Sequence, residues 1–182
     1  MKAYKATRNN KCLNITYEVG KTYTFTGKLE MCKSGFHFCK NVDNVLKYYS
    51  YDKDFVLLEI EVLGEVIDNK DKSVTDKFKV IKIVPKKEYN NLFSKIQIDK
   101  SGNMIYENSY GLESWKEYDK SNNMIHFKDS DGFELWKEYD KSNNMIHHKG
   151  SNGYELWQEY DESNNLIHFK DSNGSEYSIT VE

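Results

Sequence analysis

The sequence predicts a mainly β protein: a small α+β N-terminal domain followed by an antiparallel β-meander of about four 21-residue hairpin repeats. Three observations carry this. Trp115, Trp136 and Trp157 recur at a spacing of 21, as do Tyr118, Tyr139 and Tyr160 and Asp119, Asp140 and Asp161. Aromatic residues make up 14% of the chain, with 14 Tyr and 9 Phe, which suits half-buried strands. The formal charge of −3 conceals an asymmetry, because residues 1–88 sum to +5 and residues 89–182 to −8. Pro85, the single proline, stands where the composition changes, so the predicted domains are 1–88 and 89–182.

In the first domain, Lys2 to Thr7, Tyr23 to Thr26, Asp54 to Leu63 and Phe78 to Val84 read as strands. The third of these, Phe-Val-Leu-Leu-Glu-Ile-Glu-Val-Leu, is expected to be the most buried. Asn41 to Tyr49 reads as a short helix capped by Asn41 or Asp43, and the segment 23–28 as a hairpin turning at Gly27. In the second domain each unit reads as a hairpin: a strand from Glu134 to Tyr139, a turn at Asp140 to Asn144, a return strand from Met145 to Lys149, and a turn at Gly150 to Gly153. A degenerate copy over Ile98–Ile105 places Gly102 where later copies have Asn122, Asn143 and Asn164. Gly and Asn sharing one slot predicts a residue with positive φ. A unit this short cannot bury its own apolar face, so the hairpins must stack in series.

The composition excludes several classes. No stretch of 18 apolar residues exists to cross a membrane as a helix, and the N-terminus lacks a hydrophobic signal region. Three cysteines, Cys12, Cys32 and Cys39, are an odd number and too few for a disulfide framework, so a soluble intracellular protein is expected. With His37 they could formally make a Cys₃His zinc site, but there is no CxxC knuckle, and buried thiols are the simpler expectation. His126, His147 and His168 form a second periodic set. Residues two strands apart are separated by roughly 9–10 Å, too far for one shared ion. No cofactor and no metal is expected. Neither a phosphate-binding glycine loop nor a nucleophile motif is present, so an enzyme is not the expectation.

Candidate binding residues lie on both halves. Trp115, Glu117, Trp136, Glu138, Trp157 and Glu159 should share one sheet face by strand alternation, giving an acidic stripe with interleaved Trp that suits a basic partner surface. Lys79 and Lys82 offer an alternative contact, with nucleic acid, on the basic half.

Several segments resemble known families. The pattern Gly-x3-Trp-x-Glu-Tyr-x4-Asn is similar to MORN-like hairpin repeats and, more loosely, to the tyrosine–aspartate repeats of bacterial surface proteins. Met1–Thr7, Tyr17–Tyr23, Cys32–Cys39, Leu63–Ile67 and Lys72–Lys77 together resemble an uncharacterised N-terminal domain of phage and prophage proteins of Gram-positive bacteria. The two-part chain is similar to anti-CRISPR proteins of gut Firmicutes that inhibit Cas9. That resemblance implies a host-cytoplasmic protein that binds Cas9, or Cas9 with its guide RNA, and blocks engagement or cleavage of target DNA. Two alternatives are a phage virion component for structure or adhesion, since hairpin arrays build fibres, and an ADP-ribosyltransferase-like enzyme. The second would use His37 with one of Glu59, Glu61 and Glu65. The oligomeric state is left open.

Overall fold

The computed structural model describes residues 1–109 and 111–179. The chain is mainly β and antiparallel, and divides into two compact units, Met1–Gly102 and Asn103–Glu182.

In the first unit the strands are β1 (Lys2–Arg8), β2 (Lys11–Cys12), β3 (Ile15–Thr16), β4 (Thr22–Thr24), β5 (Phe36–Phe38), β6 (Phe55–Val62), β7 (Val66–Asp68), β8 (Ser73–Thr75), β9 (Lys77–Ile83) and β10 (Ile96–Ile98). Six of them form a sheet in the order β3-β2-β1-β6-β9-β4, and β5-β8-β7 form a second, three-stranded sheet. β6 lies between β1 and β9. Leu57 and Leu58 are adjacent and both fully buried, so both faces of β6 are covered. On one face Leu58, Ile60 and Val62 join Phe36, Phe38 and Phe78 in one cluster. Elsewhere Phe55 meets Tyr89 edge-on at 6.0 Å and Phe93 at 6.3 Å.

That second contact extends the unit beyond the proline. Pro85 opens a 3₁₀ turn, Lys86–Glu88, which leads into the single-turn helix α1 (Tyr89–Leu92). Tyr89, Phe93, Ile96 and Ile98 are all buried. The side chain of Asn90 closes a pair of hydrogen bonds with the backbone of Ile98. A charge count is blind to this, because the side chains that segment 89–98 buries in the first unit, Tyr89, Phe93, Ile96 and Ile98, are uncharged.

The short helix forms as a 3₁₀ helix over Val42–Lys47, with Asn41 as its cap, its Oδ1 accepting from the Asp43 amide at 2.9 Å. One local expectation changes. The chain does not form a hairpin at Gly27. Instead β4 pairs with β9, and the reversal comes later, where Glu30 bridges Ser34 and Cys32 adopts φ 64°. Next to it Gly35, at φ 96°, is required: a Cβ there would lie 2.5 Å from Leu29 and 2.7 Å from Val74.

The second unit contributes eight strands to an antiparallel meander in chain order: β11 (Met104–Ser109), β12 (Leu112–Tyr118), β13 (Met124–Asp129), β14 (Glu134–Tyr139), β15 (Met145–Gly150), β16 (Glu155–Tyr160), β17 (Leu166–Asp171) and β18 (Glu176–Ser178). Asn122, Asn143 and Asn164 take φ of 67°, 66° and 64°, and Gly102 takes 88°, as their shared slot predicts. Each turn is built around an aspartate. Asp140 accepts from the Ser142 and Asn144 amides at 2.8 and 2.9 Å and from the Asn144 side chain at 3.0 Å, and Asp119 and Asp161 repeat the pattern. Neighbouring turns are then tied by side-chain hydrogen bonds, Asn123 Nδ2 donating to Asn143 Oδ1 and Asn144 Nδ2 to Asn164 Oδ1, each 2.8 Å. Every residue in the buried apolar set lies at or before Ile98. The repeat sheet is therefore held by backbone ladders, cross-strand side-chain pairs and turn networks rather than by a dry interior.

Candidate functional site

Strand alternation places Trp115, Glu117, Trp136, Glu138, Trp157 and Glu159 on one face of the repeat sheet. The Trp side chains are 40–41% exposed, and the three Glu side chains about 70%. The return strands place His126, His147 and His168 with Lys128, Lys149 and Lys170 on that same face, since each of these residues pairs directly with a Trp or Glu of it.

Equivalent residues do not form straight ladders across the sheet. The register runs Glu117–His126–Trp136–Lys149–Glu155 in one row and Glu138–His147–Trp157–Lys170–Glu176 in the next. A row that starts at Glu117 therefore meets Trp136 in the next repeat, two residues before Glu138. A one-residue register shift in each hairpin, between Glu117 and Tyr118, Glu138 and Tyr139, and Glu159 and Tyr160, contributes half of this two-residue stagger. Within a row, His126 stacks on Trp136 at 5.3 Å with planes 11° apart, and His147 on Trp157 at 5.5 Å and 19°. Each imidazole lies between two carboxylates. His147 has Glu155 2.8 Å from Nε2 and Glu138 3.3 Å from Nδ1. The Lys128 ammonium, followed by His126, holds the Glu134 carboxyl below its ordinary range.

The face is thus a mosaic of indole, imidazole, carboxylate and ammonium. Lys128, Lys149 and Lys170 pair with Glu134, Glu155 and Glu176, whereas Glu117, Glu138 and Glu159 meet imidazoles and stay largely exposed. The Trp side chains are its largest exposed apolar groups. Sequence reading missed the His–Trp stacks, because they join residues ten apart whose pairing depends on the register. The period itself was the available signal, since His keeps a fixed distance from the next Trp.

Lys79 and Lys82 would face opposite ways in a regular strand. A bulge between Glu59 and Ile60 pairs Lys79 with Glu61 and Lys82 with Glu59, so the two lysines share a face with those glutamates. Lys82 Nζ is 2.8 Å from Glu88 and 3.9 Å from Glu59, and Lys2 is 3.0 Å from Glu59. This patch is charge-balanced. The structure brings Lys79 and Lys82 together but surrounds them with carboxylates, which weakens them as a phosphate contact.

The thiols are separate. Cys12 Sγ lies 3.5 Å from the Tyr49 hydroxyl, Cys32 is exposed and Cys39 is buried, where burial pushes its thiol up to about 11. Among the described residues no three His, Cys, Asp or Glu side chains gather closely enough to hold a metal ion. His37 accepts a hydrogen bond from the Cys32 amide on Nε2 at 2.9 Å, and burial together with Lys72 and Lys5 lowers its basicity. Glu59, the most enclosed of the three glutamates considered with it, is committed to Lys2 and Lys82.

Residues 1–92 match the domain of unknown function DUF7666. The chain belongs to that family. The matched stretch ends on α1, within the first compact unit, and leaves the repeats outside. All five segments singled out in the sequence fall inside DUF7666, and β5 and β8 of that domain are formed by two of them, Cys32–Cys39 and Lys72–Lys77. Comparison with curated proteins finds no match. Among the described residues no helix of this DUF7666 protein is long and apolar enough to cross a membrane.

Proposed function

We propose that this DUF7666 protein is a binding protein, not an enzyme, which docks through the Trp–Glu–His face of its repeats. Its target is a nucleic-acid-handling defence complex in the cytoplasm of a bacterial host, Cas9 with its guide RNA. In this reading the protein is of phage origin and blocks engagement or cleavage of target DNA, as the anti-CRISPR resemblance implies. The observation that supports docking through the repeats is that all three tryptophans of the chain stand about 40% exposed at regular intervals on one rigidly hydrogen-bonded face. Exposed aromatic residues with flanking charges are the usual anchors of protein interfaces. The glutamates beside them suit the positively charged channels in which Cas9 holds nucleic acid. The basic half is the weaker contact, because Lys82 is already paired with Glu88.

The test is target-DNA cleavage by guide-loaded Cas9 with this protein in excess. Glu117→Lys, Glu138→Lys and Glu159→Lys together should abolish inhibition while circular dichroism stays unchanged, and inhibition by the unaltered protein should weaken as salt rises. Normal inhibition by the triple variant, with loss in Lys79→Glu and Lys82→Glu, would move the contact to the basic half. Undiminished cleavage at excess protein would remove Cas9 as the target and return the virion reading to the front.

A further inference from the structure

The first unit contains a cavity of about 540 Å³ between β1, β5 and the Val42–Lys47 turn, within the range of small-molecule sites, roughly 300–1,000 Å³. Its walls are apolar and aromatic, formed by Tyr17, Phe36, Phe38, Val45, Tyr48 and Tyr49 among others. The charged side chains that line it are Lys5, Lys33 and Lys72, and no Asp or Glu contributes to the wall.

Lys5 is the unusual member. It sits on β1 between Tyr4 and Ala6, is 6% exposed, and among the described residues donates one hydrogen bond, Nζ to the His37 carbonyl at 2.9 Å. Its Nζ also lies 5.5 Å from the Tyr17 ring. No carboxylate acts on it among the described residues, and burial lowers its pKa. One carbonyl leaves the other donors of an ammonium unsatisfied, and a methionine would fill the same space without that desolvation cost. At the same wall Lys72 Nζ sits 4.5 Å over the Tyr48 ring and forms no ion pair among the described residues. Two lysines without carboxylate partners among the described residues, in a pocket walled by rings, suit an apolar ligand that brings its own acidic group.

We propose that this cavity is a binding site for a small organic anion, an aromatic body carrying one acidic group, which is held by Lys5 at its inner end and by Lys72. The site is separate from the repeat face and does not depend on the partner proposed for it.

The probe is 8-anilinonaphthalene-1-sulfonate with the full chain, compared with its uncharged analogue N-phenyl-1-naphthylamine. One-to-one saturable binding is expected, at least tenfold tighter for the sulfonate. Lys5→Met should remove that preference while the uncharged analogue binds as before. Lys72→Gln, at a less enclosed position, should weaken the sulfonate severalfold and covers the case in which Lys5→Met does not fold. Backbone amide shifts in the unaltered protein should centre on Ala6, Cys39 and Val45. Equal binding of the two probes, sulfonate binding unchanged in either variant, shifts centred on the repeats, or no saturable binding would each overturn the proposal.

Discussion

Tyr89 offers a direct way to test where the first unit ends. Its side chain is 1% exposed, and its ring lies 5.5 Å from Phe93, 6.0 Å from Phe55 and 6.1 Å from Tyr51, in each case near-perpendicular. Its hydroxyl accepts the amide of Leu57 at 3.1 Å. That amide needs it: the pairing of β6 with β9 stops at Leu58 and Ile83, Val84 closes the ladder by donating to the Leu57 carbonyl, and Pro85 then turns the chain away. Tyr89→Phe keeps the rings and leaves one buried N–H without an acceptor, a loss of about 1–3 kcal/mol. Tyr89→Ala also opens a cavity against three rings, for which roughly 3–5 kcal/mol is usual. Equilibrium urea unfolding separates the units, because all three tryptophans lie after residue 102 and their fluorescence follows the repeats alone. The first unit is followed by hydrogen exchange at Leu57, Leu58 and Ile60. Both variants should accelerate that exchange, Ala more than Phe, and leave the fluorescence transition in place. Unchanged exchange in Tyr89→Phe, or a chain ending at residue 88 that is as stable as one ending at 102, would refute the assignment of residues 89–102 to the first unit.

Two further outcomes are expected in the repeats. Asn143 at φ 66° should tolerate glycine better than alanine, so Asn143→Ala should be less stable than Asn143→Gly by about 1 kcal/mol, measured by tryptophan fluorescence in urea. Both variants lose the same hydrogen bond from the Asn123 side chain, so their difference isolates the backbone. Acid should loosen the repeats within a defined window. The turn amides and the following Asn side chains hold the carboxyls of Asp119, Asp140 and Asp161 below their ordinary range. A folded pKa below the unfolded value of about 3.9 gives stability that is complete above it and lost as pH falls toward the folded value. The fluorescence transition should therefore hold steady down to about pH 5 and decline below about pH 4, and less steeply after Asp119→Ala, Asp140→Ala and Asp161→Ala. An identical acid profile in that triple variant would dismiss the turn carboxylates as its cause.

Local chemistry repeated at a fixed spacing was legible in the sequence. The 21-residue period, the strands of the hairpins, the positive-φ slot shared by Gly102, Asn122, Asn143 and Asn164, and the common face of Trp136 and Glu138 all follow from residues close in the chain. In each case conformational preference and side-chain alternation act within a few residues. The burial of β6 was legible for a related reason, because a segment that opens with four successive apolar residues, Phe55 to Leu58, must be covered on both sides. Pairings between distant segments were not legible. Tyr89 returns to Leu57, β4 pairs with β9 rather than turning at Gly27, and the bulge on β9 puts Lys79 and Lys82 on one face beside Glu59 and Glu61. The offset that seats His126 on Trp136, and the cavity that encloses Lys5, are likewise products of register and packing. Neighbouring residues set local preference and facing. Only the folded chain decides which strand lies beside which, and with what offset, because each pairing competes with many others of nearly equal local energy and is chosen by the burial it allows across the whole unit.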